Sequence, residues 1–134
     1  MDIVSACLVG VNCRFDGGSK TDLELLARFQ NGKLIPVCPE QLGGLTTPRE
    51  PAEFKNGKYL TKSGNDVTAN YLLGASEALK IAKLCKAECA YLKSNSPMCG
   101  ANKIYDGSFS GKKVDGDGAF TKLLKENKIT VFSK

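Results

Sequence analysis

The chain has 134 residues, with 19 Lys and Arg against 14 Asp and Glu, six Cys, 14 Gly, no His and no Trp. One domain spanning residues 1–134 is the natural reading, and 42% apolar with 25% charged residues suits a globule that buries a core without disulfide staples. The absence of His excludes Ser-His-Asp and Cys-His catalysis, HExxH zinc sites and any imidazole base. A metal must therefore sit on Cys or oxygen, and an acid or base must be Asp, Glu, Lys, Tyr or Cys.

Residues 2–8 form a short apolar run containing Ile3, Val4 and Leu8, followed by Gly10 and Gly17-Gly18, and predict a buried first strand. Thr21 stands as the cap of a helix over 22–30, whose apolar positions are Leu23, Leu25, Leu26 and Phe29 and whose stop is Asn31-Gly32. Residues 33–37 predict a second strand. Pro39, Gly43, Gly44, Pro48 and Pro51 then keep the backbone irregular for about 14 residues, more than a connector requires. Residues 52–62 read as a hairpin turned at Asn56-Gly57. A long helix starts near 65–66 and runs to 88 or 89, its inward stripe marked by Tyr71, Ala75, Ala78, Leu79, Ala82 and Cys85. Residues 90–93 give a third strand, 106–118 a loop of Gly, Asp and Ser, 119–127 a helix and 129–132 a last strand. Strands alternating with helices predict an α/β fold: a small doubly wound, mainly parallel sheet of about four strands, helices on both faces and a β-hairpin insertion.

The N-terminus lacks the basic start and uninterrupted apolar stretch of a signal peptide, and no apolar run is long enough to span a bilayer, which places the protein in the cytoplasm. In that reducing compartment six cysteines point to core residues, metal ligands or redox groups rather than structural disulfides. The net charge of +5 comes from scattered lysines, with no aromatic-interleaved RNA-binding signature among them. An anionic or neutral small substrate is favoured over polymeric nucleic acid.

In an open α/β sheet, ligands bind beyond the carboxyl ends of the strands. There Cys7 and Cys13 lie at and after the end of the first strand, Cys38 ends the second, and Cys99 lies in the loop Ser94-Asn95-Ser96-Pro97-Met98-Cys99-Gly100 after the third. Cys85 and Cys89, four apart on the predicted long helix, share a face and continue its alanine stripe, which favours packing over metal binding. No CxxC occurs, which disfavours zinc-ribbon and thioredoxin-like readings. Cys7, Cys38 and Cys99 sit in Pro- or Gly-bounded loops instead; they are either unrelated small core residues or a convergent set. Three convergent thiolates without a fourth protein ligand suit an iron–sulfur cluster with one iron open to substrate.

Three separated motifs carry a resemblance. They are Cys7-Leu8-Val9-Gly10 with Arg14-Phe15-Asp16-Gly17; Val37-Cys38-Pro39-Glu40 with Gly43-Gly44-Leu45 and Thr47-Pro48-Arg49; and Leu92-Lys93-Ser94-Asn95-Ser96-Pro97 with Cys99-Gly100. With Ile104-Tyr105-Asp106-Gly107-Ser108-Phe109 and Gly116-Asp117-Gly118 they resemble the 2-thiouracil desulfidase family over essentially the whole chain. The resemblance implies a 4Fe–4S cluster held by Cys7, Cys38 and Cys99. Its open iron takes the sulfur of a thiolated pyrimidine or related thioamide, and water replaces that sulfur without redox change. It does not require a cysteine at Cys13, which reads as a bystander or a disulfide partner. Met98 stands where a small residue is more usual, which bears on pocket shape and substrate identity.

Without His, Glu40, two residues from Cys38, is the first candidate to move protons, its other role being to cap the following turn. Asp16 is the second carboxylate, in an Asp-Gly-Gly turn sequence. Ser94 and Ser96 can donate hydrogen bonds to a bound pyrimidine, and Lys93 and Arg49 can orient loops or counter a cluster's negative charge. Two other classes use the same cysteines: a sulfur carrier or cluster sensor without turnover, and a zinc-binding structural module, which needs four ligands.

Overall fold

The computed structural model describes Met1–Lys134. In chain order the elements are β1 (Asp2–Ser5), a 3-10 turn (Ala6–Val9), α1 (Leu23–Gln30), β2 (Leu34–Val37), α2 (Pro39–Leu42), β3 (Ala52–Lys55), β4 (Lys58–Thr61), α3 (Thr68–Leu84), β5 (Cys89–Leu92), β6 (Lys103–Tyr105), β7 (Lys113–Asp115), α4 (Ala119–Glu126) and β8 (Thr130–Ser133). Four of the strands make one parallel sheet in the order β2-β1-β5-β8, with Ile3 paired to both Ile35 and Ala90, and Ala90 to Val131. β3-β4 and β6-β7 are separate antiparallel hairpins.

The central strand explains the layering. Successive strand residues face opposite sides, and Ile3 and Val4 are both fully buried, so neither face of β1 can meet water. Ile3 packs into the larger core with Ala75, Ala78 and Ala82 of α3 and Phe120 and Leu124 of α4. Val4 packs into the smaller one with Leu25 of α1, Leu34, Leu8, Cys7 and Cys13. The α/β architecture with helices on both faces is thus the one the alternation predicts, and no helix is long and apolar enough to cross a membrane.

The structure corrects several local readings. The first strand ends at Ser5, and Cys7 lies in the 3-10 turn, where its carbonyl accepts from Lys20 N (2.8 Å) and Gly10 closes the turn at φ +97°. Asp22, not Thr21, caps α1, accepting from Leu25 N at 3.1 Å. The stretch after Cys38 is not wholly irregular: Pro39 opens the short helix α2, as its missing N–H allows. The long helix ends at Leu84; Cys85 closes it, Lys86 turns back at φ +55°, and Cys89 belongs to β5, so Cys85 and Cys89 do not share a helix face. The loop read over 106–118 sits in the second hairpin, β6-β7, whose three-residue strands offer no apolar alternation; β7 is wholly exposed. The hairpin at Asn56-Gly57 is as read, with positive φ at both residues, as a type I′ turn requires.

One close approach fixes the segment after Cys38. α2 lies against α3 so tightly that a Cβ at Gly74 would stand 1.8 Å from the Pro39 carbonyl oxygen, and one at Gly43 would stand 2.0 Å from that of Asn70. Asn70 Nδ2 also donates to Gly43 O at 2.9 Å. Backbone cannot yield as a side-chain tip can, so Gly74→Ala is expected to destabilise the fold by about 3 kcal/mol or more. Urea unfolding checks this, and an unchanged midpoint contradicts it.

Candidate functional site

Beyond the carboxyl ends of β1, β2 and β5 the structure encloses a cavity of about 580 Å³. Its walls come from the turn and loop after β1 (Cys7, Cys13, Arg14), the start of α2 (Cys38, Glu40), the loop after β5 (Ser94–Cys99) and the second hairpin (Tyr105, Phe109). This is the edge where a parallel sheet gathers its loops.

Cys7, Cys38 and Cys99 all line this cavity, and Cys13 joins them; all four are free thiols. Cys13 is 2% exposed, and its carbonyl accepts from Cys38 Sγ at 3.8 Å. The neighbouring Cys13 side chain, against the opposing effect of burial, holds the Cys7 pKa below its ordinary value. Cys38 lowers the pKa of Cys13, but Cys7 and burial outweigh that and push it up to about 11. Cys38 is raised by neighbouring Cys13 and then by burial; Cys99 is raised by burial, opposed by nearby Ser5. Cys13 was the residue that sequence reasoning set aside. Its only signal was its place in the Gly-bounded loop shared with Cys7.

The Cys99 loop is held by its own backbone. Ser96 Oγ accepts from Met98 N (3.0 Å) and Cys99 N (3.1 Å), Thr121 donates to Cys99 O at 2.9 Å, and a Cβ on Gly118 would lie 2.4 Å from the Met98 carbonyl carbon. Ser96 therefore fixes the loop that carries Cys99, while Ser94 Oγ accepts from Lys93 Nζ at 3.0 Å. The Lys93 pKa is lowered, by burial first and then by neighbouring Arg14. Met98 is fully buried in the larger core beneath the loop. Asp16 is not brought to the cavity: it is exposed, accepts from Gly18 N at 2.9 Å and pairs with Arg14, as an Asp-Gly-Gly turn does.

Glu40 is brought there, and it is held from both sides. Arg49 Nε donates to Oε2 at 2.7 Å, with Nη2 on the same oxygen, and the Tyr71 hydroxyl donates to Oε1 at 3.1 Å. Arg49 further donates to Thr46 O, Thr47 Oγ1 and Cys13 O, at 3.1, 3.1 and 3.0 Å. Tyr71 is 2% exposed and stacked on Tyr59; burial, then the Glu40 charge, raises its pKa well above the ordinary value. The sequence places Tyr71 on the inward stripe but gives no sign that its hydroxyl meets a carboxylate 31 residues away.

No group of three or more Cys, Asp or Glu side chains closes around a single ion. The thiols are instead distributed along one wall, with Arg14, Lys20, Arg49, Lys62 and Lys93 lining the same cavity against Glu40, Glu50 and Glu53. Such a wall accommodates a ligand larger than one ion that takes each thiolate at a different atom, and its cations offset the charge of thiolates.

The sequence profile of the 2-thiouracil desulfurase family matches residues 3–134. The uncharacterized protein YbbK of Bacillus subtilis (strain 168) is 42% identical over 144 residues, an alignment that takes in 100% of this chain and 95% of that protein. The solved structure of the 4Fe–4S-dependent thiouracil desulfidase TudS is similar to this chain with a TM-score of 0.94 at 44% identity. It covers 99% of this chain and 89% of its own.

Two measurements check the electrostatics of this wall. In metal-free protein treated with limiting iodoacetamide, Cys7 is expected to be alkylated before Cys13, Cys38 and Cys99, as read by peptide mass; equal labelling contradicts the lowered Cys7 pKa. The Tyr71 pKa lies above that of an unfolded tyrosine, about 10, so its contribution to stability is complete below that pH and lost as pH rises above it. Of the four tyrosines, at least one is therefore expected to ionise only as the chain unfolds in alkali. Reversible ionisation of all four with unchanged circular dichroism contradicts this.

Proposed function

The chain belongs to the 2-thiouracil desulfurase family, and from that membership we propose that it exchanges the sulfur of a thiolated pyrimidine such as 2-thiouracil for oxygen. One water enters, the C=S carbon becomes C=O, and both protons of the water leave with the sulfur as hydrogen sulfide, with no change of oxidation state.

The donor set fits an iron–sulfur group. A 4Fe–4S cluster would be held by Cys7, Cys38 and Cys99, leaving one iron for the substrate's sulfur. When bound, that group supplies a thiophilic Lewis acid that polarises the C=S bond. Cys7 comes from the turn after β1, Cys38 from the end of β2 and Cys99 from the loop after β5, so three separate segments each offer one thiol to the cavity. Cys13 itself is assigned the role of a hydrogen-bonding neighbour.

The observation that carries the reading is Glu40 in the same cavity as the thiols. A carboxylate has about four lone-pair sites, so the bonds from Arg49 and Tyr71 fix its plane and leave it able to accept a proton. Glu40 takes the proton from the attacking water and returns it to the departing sulfur. Ser94 and Lys93 line the same cavity and supply polar groups that can meet the ring carbonyl and N–H groups of a pyrimidine. A carrier or sensor has no need of a proton-moving carboxylate clamped beside its cysteines, and this favours turnover.

Anaerobic reconstitution is expected to give about four iron and four acid-labile sulfide per chain, both lost in Cys38→Ala. Glu40→Gln is expected to keep the iron and lose about 10²- to 10⁴-fold in 2-thiouracil turnover. Zinc, or no metal, in the wild type overturns the cluster; full iron without sulfide release from any thiopyrimidine overturns the enzyme reading.

A further inference from the structure

Six residues other than glycine have positive φ. Asn56 sits in the hairpin turn, Asn95 and Asn102 are of the type that tolerates this region, and Lys86 and Lys128 follow helix ends. Phe109, at φ +55°, is the one aromatic among them and has no such reason. A bulky residue there is strained and persists only where its surroundings impose it.

The surroundings are on β3. Glu53 is 8% exposed, and its Oε1 accepts from Gly107 N at 3.0 Å and Phe109 N at 3.1 Å. A buried carboxylate needs such donors, and these two come from the neighbouring hairpin's tip. Gly107, at φ +93°, seats the tip against β3: a Cβ there would lie 2.7 Å from Lys55 Cβ and 2.9 Å from Phe54 O. Thus the second hairpin is pinned to the first by the backbone on either side of Ser108. The side chain so presented, Phe109, lines the cavity that holds the thiols and Glu40.

We infer that Phe109 is a specificity-determining residue whose ring receives the flat face of the heterocyclic substrate, and that Glu53 is the positioning residue that holds it there. The inference rests on the desulfidase reading for the nature of the ring. A base stacks on an aromatic side chain whatever its substituents, so this contact selects planar heterocycles over acyclic thioamides and leaves the sulfur's position to the rest of the site. Removing one such stacking partner weakens binding by about 5- to 100-fold.

The test uses anaerobically reconstituted protein, iron content, 2-thiouracil kinetics and calorimetric binding of uracil. Phe109→Leu keeps apolar volume but not the ring. It is expected to retain its iron, raise KM for 2-thiouracil about 10-fold with a smaller effect on kcat, and weaken uracil binding in parallel. Glu53→Leu is expected to do the same, and Glu53→Gln, which keeps the accepting oxygen, to recover most of the loss. An unchanged KM and uracil affinity in Phe109→Leu overturns the inference, as does loss of iron, which makes Phe109 a support of the thiol wall. A wild type that binds uracil more tightly than Phe109→Leu does but desulfurises no thiopyrimidine overturns the function alone.

Discussion

The Arg49 guanidinium joins three of the segments around the cavity. It reaches Glu40 after β2, the Cys13 carbonyl in the loop after β1, and Thr46 and Thr47 in its own loop. The Arg49 backbone N–H adds a bond to Phe15 O at 2.9 Å. With side chains 10% and 16% exposed, the Arg49–Glu40 pair is largely withdrawn from water, and desolvation offsets much of its Coulombic attraction. What it secures is position: a planar fork with five N–H donors holds several acceptors at fixed angles, which lysine cannot do. The thiols of Cys13 and Cys38 and the carboxylate of Glu40 keep their relation because this one side chain touches or flanks all three segments.

That constraint works only because the sheet first brings the segments together. A parallel sheet sends its chain out at the same edge after every strand, and β1, buried on both faces, places the turn that carries Cys7 between the loops of its two neighbours. Glycines allow the final approach: Gly43 and Gly74 let α2 rest on α3, and Gly118 lets the chain before α4 pass against Met98 and Cys99. The cysteines are thus carried by backbone that is itself packed, not by free loops.

Much of this is legible in the sequence, and what is not has a physical reason. The four sheet strands and five of the other elements, α1, β3, β4, α3 and α4, follow from apolar runs and turn residues that act locally. Cys89 was misplaced because a stripe of Ala and Cys carries the same signal whether the helix continues or stops; the turn at Lys86 depends on pairing β5 with β8. The hairpin β6-β7 is invisible because it is stabilised from outside, by Glu53, while β7 buries nothing. At the site, Cys7, Cys38, Cys99 and Glu40 stand out by their loop context. Cys13 and Tyr71 do not, since their partners lie 25 and 31 residues away and only the fold brings them close. Asp16 shows the opposite case: its sequence suits a turn or a catalytic role, and its neighbours at Gly18 and Arg14 satisfy it as a turn.

The cavity therefore has two kinds of wall. The thiol side is built from the sheet's own loops, and its order is set by packing and by the bonds of Cys38 and Arg49 to the Cys13 carbonyl. The other kind is built from two hairpins outside the sheet, joined to each other by the carboxylate of Glu53. An insertion held at its tip by two backbone bonds can vary in shape without disturbing the sheet, whereas a change in the thiol wall must move the core through Ile3, Val4 or Met98. The division assigns chemistry to the part that cannot change cheaply and ring recognition to the part that can.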